Sequence, residues 1–219
     1  MSNEQRPCDV IAFDLDGTLV DTTALHVAAT QAASQAVFAL PVAHELVQRS
    51  LGLPLLESLG IVSAGRGHIR ELAQAFMRYY AVHEHDGARC FADVLASLGT
   101  LRAGGLRLAL LSNKLRQWGN EEIGRLGLAR VFETLVFLED MPKPKPSGWA
   151  LQPILQSLQV EATRVLVVGD SVGDIACAQA AGAQSGAALW GARDPAALRD
   201  MHPTYCLADM AALLTLMGL

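Results

Sequence analysis

The sequence predicts an α/β fold: a parallel sheet covered by helices, with a block of helices inserted after the first strand. Three observations predict it. The apolar run Val10-Ile11-Ala12-Phe13 has the size and composition of a buried strand. Residues 22–85 then lose strand character and read as helix. From Gly87 onward strand-like and helical segments alternate, the order that builds a parallel sheet with helices on its faces.

In the inserted block, Ala24, Leu25, Ala28, Ala29, Ala32 and Ala33 recur at helical spacing behind a cap offered by Thr22 or Thr23. A second helix fits residues 42–50 and is broken by Gly52-Leu53-Pro54. A short third fits 55–59. Gly65-Arg66-Gly67 marks a loop, and 69–83 carries Leu72, Phe76, Met77 and Tyr80 on a longer fourth helix. The alternating half reads as helix 90–101, strand 107–111, helix 117–126 stopped by Gly127, strand 134–138 and helix 148–158. Strand 165–168 and helix 175–181 with a C-terminal Gly182 follow. Residues 187–190 and 204–207 are the last strand candidates, and 210–217 a final helix. The domain expectation is a core of 1–21 and 87–219 and a helical insertion of 22–86.

The 219 residues suffice for one domain plus an insertion. A chain 51% hydrophobic and 18% charged is globular rather than disordered. Net charge is -5, and only Lys114, Lys143 and Lys145 are lysines, so neither nucleic acid nor an anionic membrane is an expected partner. No stretch has the length and purity of a membrane span, and residues 1–7 lack an apolar signal core. Cys8, Cys90, Cys177 and Cys206 form no C-x-x-C pair; they read as reduced thiols of a cytoplasmic protein, monomer or homodimer.

Four strand ends carry polar signatures, and in a parallel sheet those ends share one edge. The first is Asp14-Leu15-Asp16-Gly17-Thr18-Leu19-Val20-Asp21, two carboxylates where a buried strand stops. Such groups are costly unless a metal or hydrogen bonds hold them. The second is Ser112-Asn113, a hydroxyl and turn suited to phosphate oxygens. The third is Lys143-Pro144-Lys145-Pro146. The fourth is Gly169-Asp170-Ser171-Val172-Gly173-Asp174. Taken together and in this order, they resemble the signatures of the haloacid dehalogenase superfamily of phosphatases and phosphotransferases, which have a Rossmann-like core and a helical cap.

The resemblance implies a role for each residue. Asp14 is the nucleophile that forms an aspartyl-phosphate, and Asp16 is the acid and then the base. Thr18, Ser112 and Asn113 hold the phosphoryl group, Thr18 alternatively supporting Asp16. In the four-residue register Lys143 is the catalytic cation, with Lys145-Pro146 as a competing match. Asp14, the Asp16 carbonyl and Asp170 bind Mg²⁺, with Asp174 in support. The 22–86 insertion resembles the cap, and Gly52-Leu53-Pro54 its specificity loop in phosphoglycolate phosphatase-like members. His26 is a further candidate cap contact, although a packed or exposed histidine is an equal reading.

The implied substrate is a small phosphorylated metabolite, with phosphoglycolate first. Asp16 argues against a dehalogenase, and the absence of Lys from the insertion against a phosphonate hydrolase. A β-phosphoglucomutase-like role is the alternative, opposed by Thr30, Leu55 and Phe76 where mutases carry other residues. A catalytically silent binding or scaffold protein on the same fold is the non-enzyme reading.

Overall fold

The computed structural model describes residues 6–219. In chain order the elements are β1 (Val10–Phe13), β2 (Val20–Asp21), α1 (Thr23–Phe38), α2 (His44–Ser50), α3 (Leu55–Ser63), α4 (Ile69–Gly87) and β3 (Arg89–Cys90). There follow α5 (Val94–Ala103), β4 (Arg107–Leu111), α6 (Arg116–Arg125), β5 (Thr134–Val136), α7 (Gln152–Leu158), β6 (Val165–Gly169) and α8 (Val172–Ala181). The chain closes with β7 (Gln184–Ala188), α9 (Pro195–Asp200), β8 (Tyr205–Leu207) and α10 (Met210–Leu216). Two compact units result, divided after Val20 and after Arg89.

The first unit holds a six-stranded sheet in the order β5-β4-β1-β6-β7-β8. Every pairing in it is parallel. Val10 lies opposite Arg107 on one side and Val165 on the other, so β1 is the central strand and all four of its residues are buried. Strand order reverses at β1, the switch point where open α/β sheets form their crevice. On one face of the sheet, Val10, Ala12, Ala109, Val165 and Val167 pack with Ile154, Leu158, Cys177 and Ala178. Burying such side chains stabilises by roughly 1.5–3 kcal/mol each for the larger ones. Ser171 caps α8, its hydroxyl accepting from the Asp174 amide while the Asp174 carboxylate accepts from the Ser171 amide.

The second unit is helical. Its core uses Leu25, Ala29 and Ala33 of α1 and Leu72, Phe76 and Tyr80 of α4, and these two helices pack on each other. Val42, Val47, Leu51 and Val62 form a smaller apolar cluster. None of the described helices is long and apolar enough to cross a membrane.

Four elements differ from expectation. Residues 90–93 are not helical, because Cys90 belongs to β3, which pairs with β2; α5 begins at Val94. The seventh strand occupies Gln184–Ala188 rather than 187–190. Its Ser-Gly-Ala-Ala sequence is buried but lacks the branched side chains that mark strands. The first helix starts after Thr22 without a side-chain cap bond from it; the Thr23 amide instead donates to Asp21 at 3.3 Å. Helix α9 was not expected, although Asp194 accepts from the Ala197 amide and Pro195 opens the helix, both sequence-level start signals.

Candidate active site

The chemistry gathers at the carboxyl ends of β1, β4 and β6, within the sheet-bearing unit. β1 delivers Asp14 directly after its last residue, and the Asp14 amide donates to the Val168 carbonyl at 2.9 Å, extending the strand pairing. The chain then turns through Gly17 at φ +85°. A Cβ built on Gly17 stands 2.3 Å from the Asp170 carboxylate. Glycine therefore serves two needs here, a left-handed backbone and room for Asp170. Gly17→Ala is expected to cost about 1–3 kcal/mol for the backbone conformation alone and to displace Asp170. Urea unfolding and phosphatase assays on the variant measure the two losses separately.

Carboxylate oxygens of Asp14, Asp170 and Asp174 lie within 4.8 Å of one another. Burial pushes the Asp14 carboxyl up to about 7, against the pull of Lys145. Burial also raises Asp170, with repulsion from Asp14 and Asp174 adding to it and the Thr18 hydroxyl opposing it. Thr18 Oγ1 donates to Asp170 Oδ1 at 2.8 Å, so its hydroxyl supports Asp170 rather than Asp16. An oxygen-only donor set that resists simultaneous ionisation fits a hard divalent cation, which would supply the missing positive charge. Asp14 and Asp170 are the ligands so placed. Asp174 is already engaged: Oδ1 accepts from Lys145, and Oδ2 from the Ser171 amide and hydroxyl at 3.0 and 2.6 Å.

The cation of the site is Lys145, not Lys143. Lys145 Nζ stands 2.8 Å from Asp14 Oδ1 and 2.6 Å from Asp174 Oδ1, and the residue is 4% exposed. Burial works against its charge, but the two carboxylates outweigh burial and hold it above the usual lysine range. Lys143 is exposed. The physical reason is the loop. Ser147 donates to the Pro144 carbonyl at 2.9 Å, closing a turn with Lys145 at its corner. Asn113 clasps that corner, donating from Nδ2 to the Lys145 carbonyl and accepting from the Lys145 amide at Oδ1, both at 3.1 Å. The clasp also corrects the expectation for Asn113: its side-chain amide is spent on the lysine loop rather than turned to a phosphate. Ser112 is buried, and its hydroxyl accepts from the Lys114 amide at 3.2 Å.

Two cations escaped the sequence reading. Lys114 Nζ donates to Asp16 Oδ1 at 3.1 Å and to Glu122 Oε2 at 2.8 Å. Arg193, on the loop after β7, has its guanidinium lowered by burial while Asp170 and Asp14 attract it. Lys114 follows directly on the Ser112-Asn113 signature, and an ionisable residue beside a strand-end motif was the available signal. Nothing comparable marked Arg193. Of the four helical-unit candidates, His26 on α1 meets the Phe76 ring edge-on at 4.9 Å, and Gly52, Leu53 and Pro54 link α2 to α3.

A family model of haloacid dehalogenase-like hydrolases matches residues 11–188. The chain belongs to that family. Among its relatives, the phosphoglycolate phosphatase of Yersinia pseudotuberculosis is 34% identical over 216 residues, covering 95% of this chain and 93% of the relative. The pyrophosphatase PpaX of Oceanobacillus iheyensis is 28% identical, covering 95% and 96%. In three dimensions, a Lactobacillus plantarum protein assigned as a phosphoglycolate phosphatase superposes with a TM-score of 0.85 at 20% identity, covering 95% of this chain and 99% of that one. That likeness speaks for the Rossmann-like fold of this haloacid dehalogenase-like chain.

Proposed function

We propose that this chain is a Mg²⁺-dependent phosphomonoester hydrolase that works through an aspartyl-phosphate on Asp14. The observation that carries the reading is the arrangement of two carboxylates two residues apart, each with its own lysine: Asp14 with Lys145, and Asp16 with Lys114. Different partners suit the pair to different tasks.

In the first step an Asp14 carboxylate oxygen attacks phosphorus, and the bond from phosphorus to the alcohol oxygen breaks. The Asp16 carboxyl gives its proton to the departing oxygen. In the second step water attacks the same phosphorus, Asp16 takes the water proton, and the bond to Asp14 breaks to release phosphate. Lys145 balances the charge of Asp14 throughout and keeps its attacking oxygen in place. Thr18 holds Asp170 in place through its hydroxyl, and Ser112, at the end of β4, is the proposed phosphate contact. Asp14, the Asp16 carbonyl and Asp170 would hold Mg²⁺, which supplies positive charge to the transferring phosphoryl group. Residues 22–86 are the segment proposed as the substrate-selecting cap, with Gly52, Leu53, Pro54 and His26 as its candidate contacts.

The substrate is a small phosphorylated metabolite in the cytoplasm, with phosphoglycolate first. The curated relatives supply the support, one named for phosphoglycolate and one for pyrophosphate. Phosphate release from phosphoglycolate, inorganic pyrophosphate and p-nitrophenyl phosphate with Mg²⁺ tests the reading. Phosphoglycolate is expected to give the highest kcat/KM, and absence of turnover on every ester would sink the hydrolase. Conversion of β-glucose 1-phosphate to the 6-phosphate would instead establish the mutase.

Two further outcomes follow. Asp16→Asn is expected to lose on the order of 10²–10⁴ in turnover of alkyl phosphates. It should also accumulate phosphoenzyme from p-nitrophenyl phosphate, detectable by intact-mass spectrometry; unchanged alkyl phosphate hydrolysis would remove Asp16 from the mechanism. Mg²⁺ at one hundred times its Kd should add about 2.7 kcal/mol of stability, roughly 5–10 °C for a chain of this size. At one fixed Mg²⁺ concentration the shift should be larger at pH 8 than at pH 5, because protons compete for Asp14 and Asp170 and raise the Kd. Thermal melts with chelator or Mg²⁺ at both pH values check this.

A further inference from the structure

Lys114 is fixed at three points. Its amide donates to Ser112 Oγ at 3.2 Å, its carbonyl accepts from the Leu138 amide at 3.1 Å, and its ammonium reaches Glu122 on α6 at 2.8 Å. Glu122 is fully buried and the Lys114 side chain is 8% exposed, whereas the Asp16 side chain is 35% exposed. Such an ion pair is a poor stability device. Apolar side chains of the same volume often serve as well or better, and losing one partner strands a buried charge. What the pair provides is an ammonium held rigidly at one place, and 3.1 Å from that place stands Asp16 Oδ1. Lys145 meets the charge of Asp14, so the nucleophile does not need this second ammonium.

We propose that Lys114, anchored from behind by Glu122, is a positioning residue for Asp16. Its contact selects one rotamer of a carboxyl group that the surrounding side chains leave partly exposed. A proton donor held in line with the leaving oxygen avoids the conformational search that a free carboxyl must make at each turnover. Glu122 offsets the ammonium charge, which makes Lys114 a weak anchor for the phosphate itself. The proposal rests on the reading of Asp16 as the proton carrier.

The test compares first-turnover alcohol release from glycerol 2-phosphate, a poor leaving group, with that from p-nitrophenyl phosphate, which needs no proton. The enzymes are the wild type, Lys114→Met, Glu122→Gln, Asp16→Asn and the Lys114→Met/Asp16→Asn double variant. Because Lys114→Met leaves Glu122 buried without its lysine, the Lys114→Met/Glu122→Gln pair serves as a second, charge-neutral probe, with folding checked by circular dichroism. Lys114→Met and the neutral pair are expected to slow glycerol release on the order of 10- to 100-fold, less than loss of the proton carrier itself. Nitrophenolate release and both KM values should stay within about threefold. Glu122→Gln should show the same pattern at smaller size. In the Asp16→Asn background Lys114→Met should cost nothing more, since a residue acting through another is not additive with it. Equal losses on the two esters, a KM that rises with Lys114→Met, or additive losses in the double variant would overturn the proposal. Asp16→Asn without any ester-dependent loss would overturn the reading of Asp16 itself, a different result from failure of the Lys114 variants alone.

Discussion

Lys145→Met is expected to reduce phosphatase turnover by at least the order of 10²–10³ that a preorganised charge-stabilising contact supplies, and to destabilise the fold as well. Lys145 is the ammonium touching Asp14 and Asp174, both buried. Removing one partner from a buried ionic group typically costs about 3–5 kcal/mol. That cost has a pH signature. Without Lys145 the Asp14 carboxyl resists ionisation further, so the chain folds more readily with a proton bound there. The destabilisation should be largest near pH 8 and smaller near pH 5. Lys143→Met should leave both turnover and stability within the small range of surface substitutions, about 0.5 kcal/mol. Denaturant unfolding in chelator at the two pH values, beside activity assays with Mg²⁺, reads all of these. If the Lys143 variant is the inactive one, the assignment of the cation fails.

Asp14→Asn is expected to remove hydrolysis altogether while raising the stability of the metal-free protein at high pH. The two effects have one origin. Burial raises the Asp14 carboxyl to about 7 in the fold, against roughly 3.9 in an unfolded chain. A raised carboxyl favours the folded state most strongly below its unfolded value, and that contribution is lost as pH rises through about 7. At pH 8 the wild type holds the nucleophile charged against burial and against Asp174 and Asp16. Asparagine keeps the shape without the charge. The melting temperature of Asp14→Asn in chelator should exceed that of the wild type at pH 8, with the gap closing toward pH 5. Measurable phosphatase turnover in this variant would end the case for Asp14 as nucleophile.

Much of this arrangement was legible because the buried strands are apolar and short, and chemistry follows them at once. Val10–Phe13 and Val165–Gly169 announce themselves, and Asp14 and Asp170 stand at their ends. The third signature was ambiguous for a plain reason: Lys-Pro occurs twice in four residues, and sequence cannot show which lysine a turn directs inward. The deciding contacts come from Asn113, thirty-two residues away from Lys145. Glu122 was invisible on similar grounds. It sits in a polar stretch of α6 beside Glu121, and only folding buries one of the two. Gln184–Ala188 was misplaced because a strand of small residues has no hydrophobic signature of its own; its place between β6 and β8 supplies the pairing.

The Asn113 clasp carries a consequence for how such proteins diverge. Two loops far apart in the sequence share a two-point backbone junction, one contributing the amide side chain and the other the peptide it grips. A change of length in either loop pulls the junction out of register and swings the lysine away from its carboxylates. The segments around Asn113 and Lys145 therefore form a single heritable cassette. In chimaeras built from two members of the family, exchanging both segments together should preserve the centre, and exchanging either one alone should break it even where every motif residue is retained.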